Sequence, residues 1–155
     1  MRGLAVDLQN AGVDVLLDRK DNAWIGSNVG RFISRVEDEE IDFVAVVGTP
    51  LYLEKYRNEL SPEGSVVASE VDLINLRMMG TEQRKNTVLP LLVQCEGRKA
   101  FPPLLRGRTY ADFRDEAAYF GALYDLILTL YRIPFDHPAV ADLREKLSAG
   151  DERLR

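Results

Sequence analysis

The chain has little of what most often carries chemistry. Of its 155 residues one is cysteine (Cys95), one is histidine (His137) and one is tryptophan (Trp24). A single cysteine excludes an intrachain disulfide and a cysteine-based zinc site. A single histidine excludes a histidine-pair metal centre and a histidine relay, so no metal is expected. No run of about 18 apolar residues occurs, so no transmembrane helix is expected. Asp7 interrupts the apolar start where a signal peptide needs an unbroken core. A reducing, cytoplasmic setting is therefore the expectation. Basic charge is also short: 20 Lys and Arg stand against 25 Asp and Glu. The overall basic footprint of a nucleic-acid partner is therefore absent.

Several motifs are missing as well. There is no Gly-x-x-x-x-Gly-Lys-Ser/Thr loop, which excludes a P-loop NTPase, and no Gly-x-Gly-x-x-Gly after a strand. There is no Gly-x-Ser-x-Gly elbow of an α/β-hydrolase. The apolar run Ile41–Val47 ends in Gly48-Thr49, where a phosphate-accepting receiver domain would need an aspartate.

What remains reads as one globular α/β domain. Hydrophobic residues are 46% of the chain, enough for one core at this length. Leu4, Ala5, Leu8 and Ala11 recur at helical spacing and Gly12 suits a left-handed stop. Val13–Leu17 reads as a short strand, Asp18–Ser27 as a polar loop, and Val29, Phe32, Ile33 and Val36 as a second helix. Ile41–Val47 reads as a strand covered on both faces, followed by a short helix over Leu51–Leu60 and a turn at Ser61–Gly64. Val66, Val67, Val71, Ile74 and Met78 mark a helix from about Ser65, closed by Gly80. Val88–Val93 is another buried strand, and its Pro90, lacking a ladder donor, predicts an edge or a bulge. Cys95–Arg108, with two glycines and two prolines, reads as a loop, and Thr109–Phe113 as a short last strand. Phe120, Leu123, Tyr124, Ile127, Leu130 and Tyr131 stripe a long helix from about Glu116 that Pro134 breaks. A last helix begins near Pro138, with Val140, Leu143 and Leu147 on one face. This alternation predicts a parallel sheet whose functional loops follow Leu17, Val47 and Val93, at the carboxyl ends of the strands.

The order Val15-Leu16-Leu17-Asp18-Arg19, a polar loop with Gly26-Ser27, a helix, Phe43–Val47 with Gly48-Thr49-Pro50-Leu51-Tyr52, and Glu70 within a helix resembles the Toll/interleukin-1 receptor (TIR) domain family, its bacterial branch in particular. The resemblance covers about Leu4–Ile133. It implies a flavodoxin-like parallel sheet of five strands, with a TIR-like domain over residues 1–133 and a linker and helix over 134–155. Asp18–Ser27 matches the family's BB loop. Some members of the family are scaffolds that associate with other TIR domains. Others cleave the nicotinamide–ribose bond of NAD with a glutamate in the helix after the third strand, which by position is Glu70. NAD is then substrate, and no cofactor is expected.

The chemistry suits a carboxylate. Breaking an N-glycosidic bond builds positive charge on the ribose, and a carboxylate beside it stabilises that charge. Nicotinamide leaves without a strong general acid, which fits a chain with one histidine. Glu70 as a solvated helix residue is the bland alternative, although Val66, Val67, Val71 and Ile74 at helical spacing set it beside an apolar face. The family often has Trp four residues before this glutamate, where this chain has Val66. Trp24 reads first as a hydrophobic plug or assembly contact, with a substitute platform as the alternative. Arg19, Lys20 and Asn22 are candidates to meet the pyrophosphate or acidic groups of a partner, with solvated loop residues as the plain alternative. Ser27 reads as a helix N-cap with anion contact as a second role, and Gly48, Thr49 and Tyr52 as pocket lining, turn geometry or packing. His137, before Pro138, reads as a cap or a linker residue, Cys95 as a small core residue, and Asp72 and Arg77 as surface.

The expected partners are NAD and other TIR domains in a homo-oligomer, without nucleic acid or membrane. The alternatives are a scaffold module without catalysis and a nucleoside deoxyribosyltransferase-like enzyme, which shares the carboxylate-at-ribose chemistry. In the family a strand precedes the first helix and lies mid-sheet, whereas here Leu4 already begins that helix. Three outcomes are expected: the chain belongs to a longer protein, another chain donates the strand, or Val13–Leu17 pairs directly with Phe43–Val47.

Overall fold

A computed structural model describes residues 2–16, 41–58 and 74–152. The described elements are α1 (Arg2–Asn10), β1 (Val44–Gly48), α2 (Pro50–Asn58), a helical stretch at residues 74–78, α3 (Glu82–Lys85), β2 (Val88–Leu92), α4 (Gly97–Ala100), a 3-10 turn (Pro103–Leu105), β3 (Ala111–Asp112), α5 (Tyr119–Leu130) and α6 (Pro138–Glu152). The strands form one sheet in the order β1-β2-β3. With flanking helices this is the flavodoxin-like α/β arrangement expected. The chain divides into two compact units, Met1–Leu17 with Ala111–Arg155, and Asp18–Tyr110.

In the second unit β1 and β2 pair in parallel, Val44 opposite Val88, Val46 opposite Pro90 and Gly48 opposite Leu92. Pro90 therefore sits in a strand flanked on both sides, not at an edge. The two ends of the ladder explain how. Val44 N–H donates to Thr87 and Val93 N–H to the Gly48 carbonyl. Amides along a parallel strand alternate sides, so the Leu89, Leu91 and Val93 amides face β1 and the Pro90 nitrogen faces away from it. The β1–β2 ladder loses nothing to the proline.

β1 departs from its expected two-sided cover. Val46 and Gly48 are buried while Ala45 between Val44 and Val46 is exposed. β2 is buried at Val88, Pro90, Leu91 and Leu92, as its continuous apolar run predicts. Val46, Val88 and Leu92 meet Ile74, Met78, Ala100, Phe101 and Leu105 in one core cluster. Residues 74–78 turn Ile74 and Met78 inward, while Leu76 and the following Met79 are exposed.

Arg77 corrects a surface expectation, being only 7% exposed. Its guanidinium donates to the Ile41 carbonyl at 2.9 Å and to Thr87 Oγ1 at 3.1 Å. Thr87 Oγ1 in turn donates to the Arg84 carbonyl at 2.7 Å. One planar fork thus joins the helical stretch to the approaches of both β1 and β2. Burial, and then the neighbouring Arg84 charge, hold the Arg77 pKa below its ordinary value. Arg77→Ala strands these acceptors and should cost about 1–3 kcal/mol in urea unfolding. Arg77→Lys should not restore it, because an ammonium does not reproduce the fork.

In the first unit, α1 buries Leu4, Ala5 and Leu8 as its periodicity predicts. Gly12 closes it at φ 85°. Gly12 N–H donates to Gln9 and Val13 N–H to Leu8, the paired bonds of a Schellman end. A Cβ on Gly12 would also lie 2.9 Å from the Tyr131 hydroxyl, which donates to the Ala11 carbonyl at 2.7 Å. α5 ends the same way around Arg132, at φ 55°, with Arg132 donating to Thr129 and Ile133 to Leu128. His137 caps α6 as expected, its Nδ1 accepting Ala139 N–H at 3.3 Å. Val140 is buried on that helix, whereas Leu143 is exposed. Of the strand expected at Val13–Leu17, Val13–Leu16 are not a strand, and Leu17 lies outside the described residues. Direct pairing of this segment with β1 therefore does not occur among the described residues. The α5 stripe is also rotated: Leu123, Leu126 and Leu128 are buried, while Phe120 and Tyr131 face out.

The Tyr119 hydroxyl donates to Asp7 Oδ2 at 2.5 Å, joining α5 to α1. Burial first, and then the Asp7 hydrogen bond and charge, push the Tyr119 pKa up to about 12. An acid whose folded pKa lies above its unfolded value of about 10 stabilises fully below that value. The contribution is lost as pH rises from about 10 through about 12. Tyr119→Phe should cost about 1 kcal/mol at neutral pH. The gap between the two proteins in urea unfolding should close across that alkaline window.

Candidate functional site

The carboxyl ends of β1 and β2 are where a parallel sheet presents function. β1 ends at Gly48, and Thr49 and Pro50 begin α2. Thr49 Oγ1 accepts Tyr52 N–H at 3.0 Å, and the Thr49 carbonyl accepts Leu53 N–H at 3.2 Å. A threonine cap followed by proline at the first helical position is a strong local start signal. Thr49 thus has a defined task at the strand-to-helix turn. Tyr52, one turn into α2, packs against the core cluster.

β2 ends at Leu92. Cys95 then turns the chain at φ 55° and α4 follows. The next residue, Phe101, is 1% exposed and lies across the end of β1. A Cβ built on Gly48 would stand 2.4 Å from Phe101 Cζ. Gly48 is therefore a close-approach glycine: the missing side chain makes room for a ring. Among the site residues expected from sequence, the structure groups Gly48, Thr49 and Tyr52 on one strand-to-helix turn. Arg19, Asn22, Trp24, Ser27 and Glu70 lie outside the described residues, as do the Asp18–Ser27 loop, the second helix, the Ser61–Gly64 turn and Asp72.

Phe101 is the residue that sequence reading missed. Cys95–Arg108 reads as a loop by its glycines and prolines, yet it contains α4, the 3-10 turn and the buried Ala100, Phe101, Pro102 and Leu105. The signal was present in the apolar run Ala100–Leu105, masked by its paired prolines. Cys95 is half-buried and packs against the core cluster. Among the described residues no group of three or more His, Cys, Asp or Glu side chains is placed to hold a metal. No described helix is long and apolar enough to cross a membrane.

The family model for the TIR domain matches residues 1–127. No curated protein and no solved structure matches the chain.

Proposed function

The chain belongs to the TIR domain family, and on that premise we propose that it cleaves the nicotinamide–ribose bond of NAD, in a cytoplasmic signalling or immune setting. Glu70 is the proposed catalytic carboxylate, stabilising positive charge as it develops on the ribose. Water attacks the ribose C1′ as its bond to the nicotinamide nitrogen breaks, releasing a proton and giving nicotinamide and ADP-ribose; attack at C1′ by a nucleophilic group of the same molecule in place of water gives a cyclised form. Arg19, Asn22, Trp24 and Ser27 are the proposed contacts of the loop before the second helix, and Gly48, Thr49 and Tyr52 the proposed wall at the end of β1. Association with further TIR domains, this chain included, is the proposed assembled state.

The observation that carries this reading is the family match over residues 1–127, which spans Glu70 within its Ser69-Glu70-Val71-Asp72 setting. The turn at Gly48-Thr49-Pro50 supports it by holding Tyr52 one helical turn from the strand end. A scaffold module is the second reading, favoured by Val66 where the family often carries a stacking tryptophan. The two part on one measurement, nicotinamide release from NAD by the purified chain at rising protein concentration. Release that grows with assembly supports the enzyme. Self-association without release, abolished by changing Trp24 or Gly26, leaves the scaffold.

A further inference from the structure

A recess of about 550 Å³ opens beside the end of β2, lined by Glu96, Gly97, Arg98, Phe101, Arg106, Gly107 and Tyr110. Its volume falls in the range of small-molecule sites. Three features give it a chemistry. Arg106 is fixed, its Nε donating to the Phe101 carbonyl and its Nη2 to the Arg98 carbonyl, both at 3.0 Å. This leaves the Nη1 donors of a held guanidinium for an anion. Arg98 and Arg106 make no ion pair among the described residues, unlike Arg108, Arg114 and Arg144. Tyr110 is 40% exposed, and its ring is backed by Phe101, centroid to centroid 6.2 Å and tilted by 39°. The Glu96 side chain makes no capping bond to α4, which leaves its carboxylate as an acceptor for hydroxyl donors.

An oriented cation, a supported aromatic face and a carboxylate acceptor match the three parts of one ligand class. We propose that this recess binds a nucleoside monophosphate. The phosphate meets Arg106 and Arg98, the base stacks on Tyr110, and the ribose hydroxyls donate to Glu96. Gly97 and Gly107 also line the recess; a Cβ on Gly107 would meet nothing within 4 Å, and one on Gly97 would make ordinary contact with the Tyr110 and Phe101 rings. All of these residues lie within the unit Asp18–Tyr110. None of them belongs to the proposed NAD-cleaving set, so the inference stands apart from that reading.

The test titrates the full chain with AMP, adenosine and inorganic phosphate, following backbone amide NMR shifts. AMP should saturate, roughly tenfold or more tighter than either fragment, with the largest shifts at residues 96–98, 106, 107 and 110. Tyr110→Ala should weaken AMP by roughly tenfold, as loss of one stacking face does, and leave inorganic phosphate unchanged. Arg98→Ala should weaken AMP and inorganic phosphate and leave adenosine unchanged. AMP shifts that centre on residues 48, 49 and 52 instead would place AMP at the proposed NAD-cleaving wall and overturn the proposal. The proposal is overturned if AMP shifts do not saturate, if they centre elsewhere, or if AMP binds no tighter than phosphate. The wild-type titration alone distinguishes these outcomes, whatever the variants do to folding.

Discussion

Nicotinamide release from NAD should fall by a factor on the order of a hundred to a thousand in Glu70→Gln, the range set by removing one preorganised group that stabilises transition-state charge. The substitution keeps the side-chain volume and replaces the negative charge and one acceptor oxygen with a neutral amide NH2. It therefore tests the proposed chemistry rather than packing. The rise of positive charge on the ribose is the step that needs the carboxylate, so kcat should carry the loss and KM should change little. Glu70→Asp should recover a minor part, because the shorter side chain retracts the charge by about one methylene. Equal release by Glu70→Gln and wild type would remove Glu70 from the mechanism. Absence of release from wild type under assembling conditions would remove the enzyme and leave the scaffold.

Phe101→Ala should destabilise the unit that contains β1 and β2 by about 3–5 kcal/mol, a large share of the roughly 5–15 kcal/mol typical of a native domain. The ring is 1% exposed, joins the core of Val46, Val88, Leu92 and Leu105, and covers the end of β1. Its relation to Gly48 gives a sharper form of the experiment. Gly48→Ala in the wild type places a Cβ 2.4 Å from Phe101 Cζ and should cost about 1–3 kcal/mol as overpacking. In the Phe101→Ala background that clash is gone. The same Gly48→Ala change should become neutral or mildly stabilising, since alanine loses less backbone freedom than glycine on folding. Urea unfolding of the four proteins measures the coupling. Simple additivity would show that the ring does not determine the glycine.

Local signals were readable along much of the chain. Gly12 ends α1 because a left-handed residue lets two amides reach back, and that geometry is complete between Leu8 and Val13. Asp136-His137-Pro138 starts α6 for a similar reason. The run Val88–Leu92 is a buried strand because an apolar run without a polar face has no other place. Elsewhere a correct local pattern left the outcome open. The α5 stripe offers apolar residues around most of the helix, so periodicity located the helix but not the buried side, which is Leu123, Leu126 and Leu128. Val13–Leu16 have strand composition, but a strand needs a ladder partner and none is made among the described residues. Pro90 correctly signalled a missing donor, and only the register with β1 shows that its nitrogen faces away from that ladder.

The sequence by itself determined the order of most helices and strands, the caps at Gly12 and His137, and the family to which the chain belongs. Each of these rests on groups a few residues apart or on a pattern spread along the whole chain. Tertiary structure alone decided that Arg77 is buried, bonding Ile41 and Thr87. It also decided that Phe101 leaves an apparent loop to lie on Gly48, and that Arg106 is held beside Tyr110 in a recess. A charge reads as surface until a distant carbonyl is folded against it, and a glycine reads as a turn until a distant ring is folded over it. Those partners are set by long-range packing, which no local spacing of residues encodes.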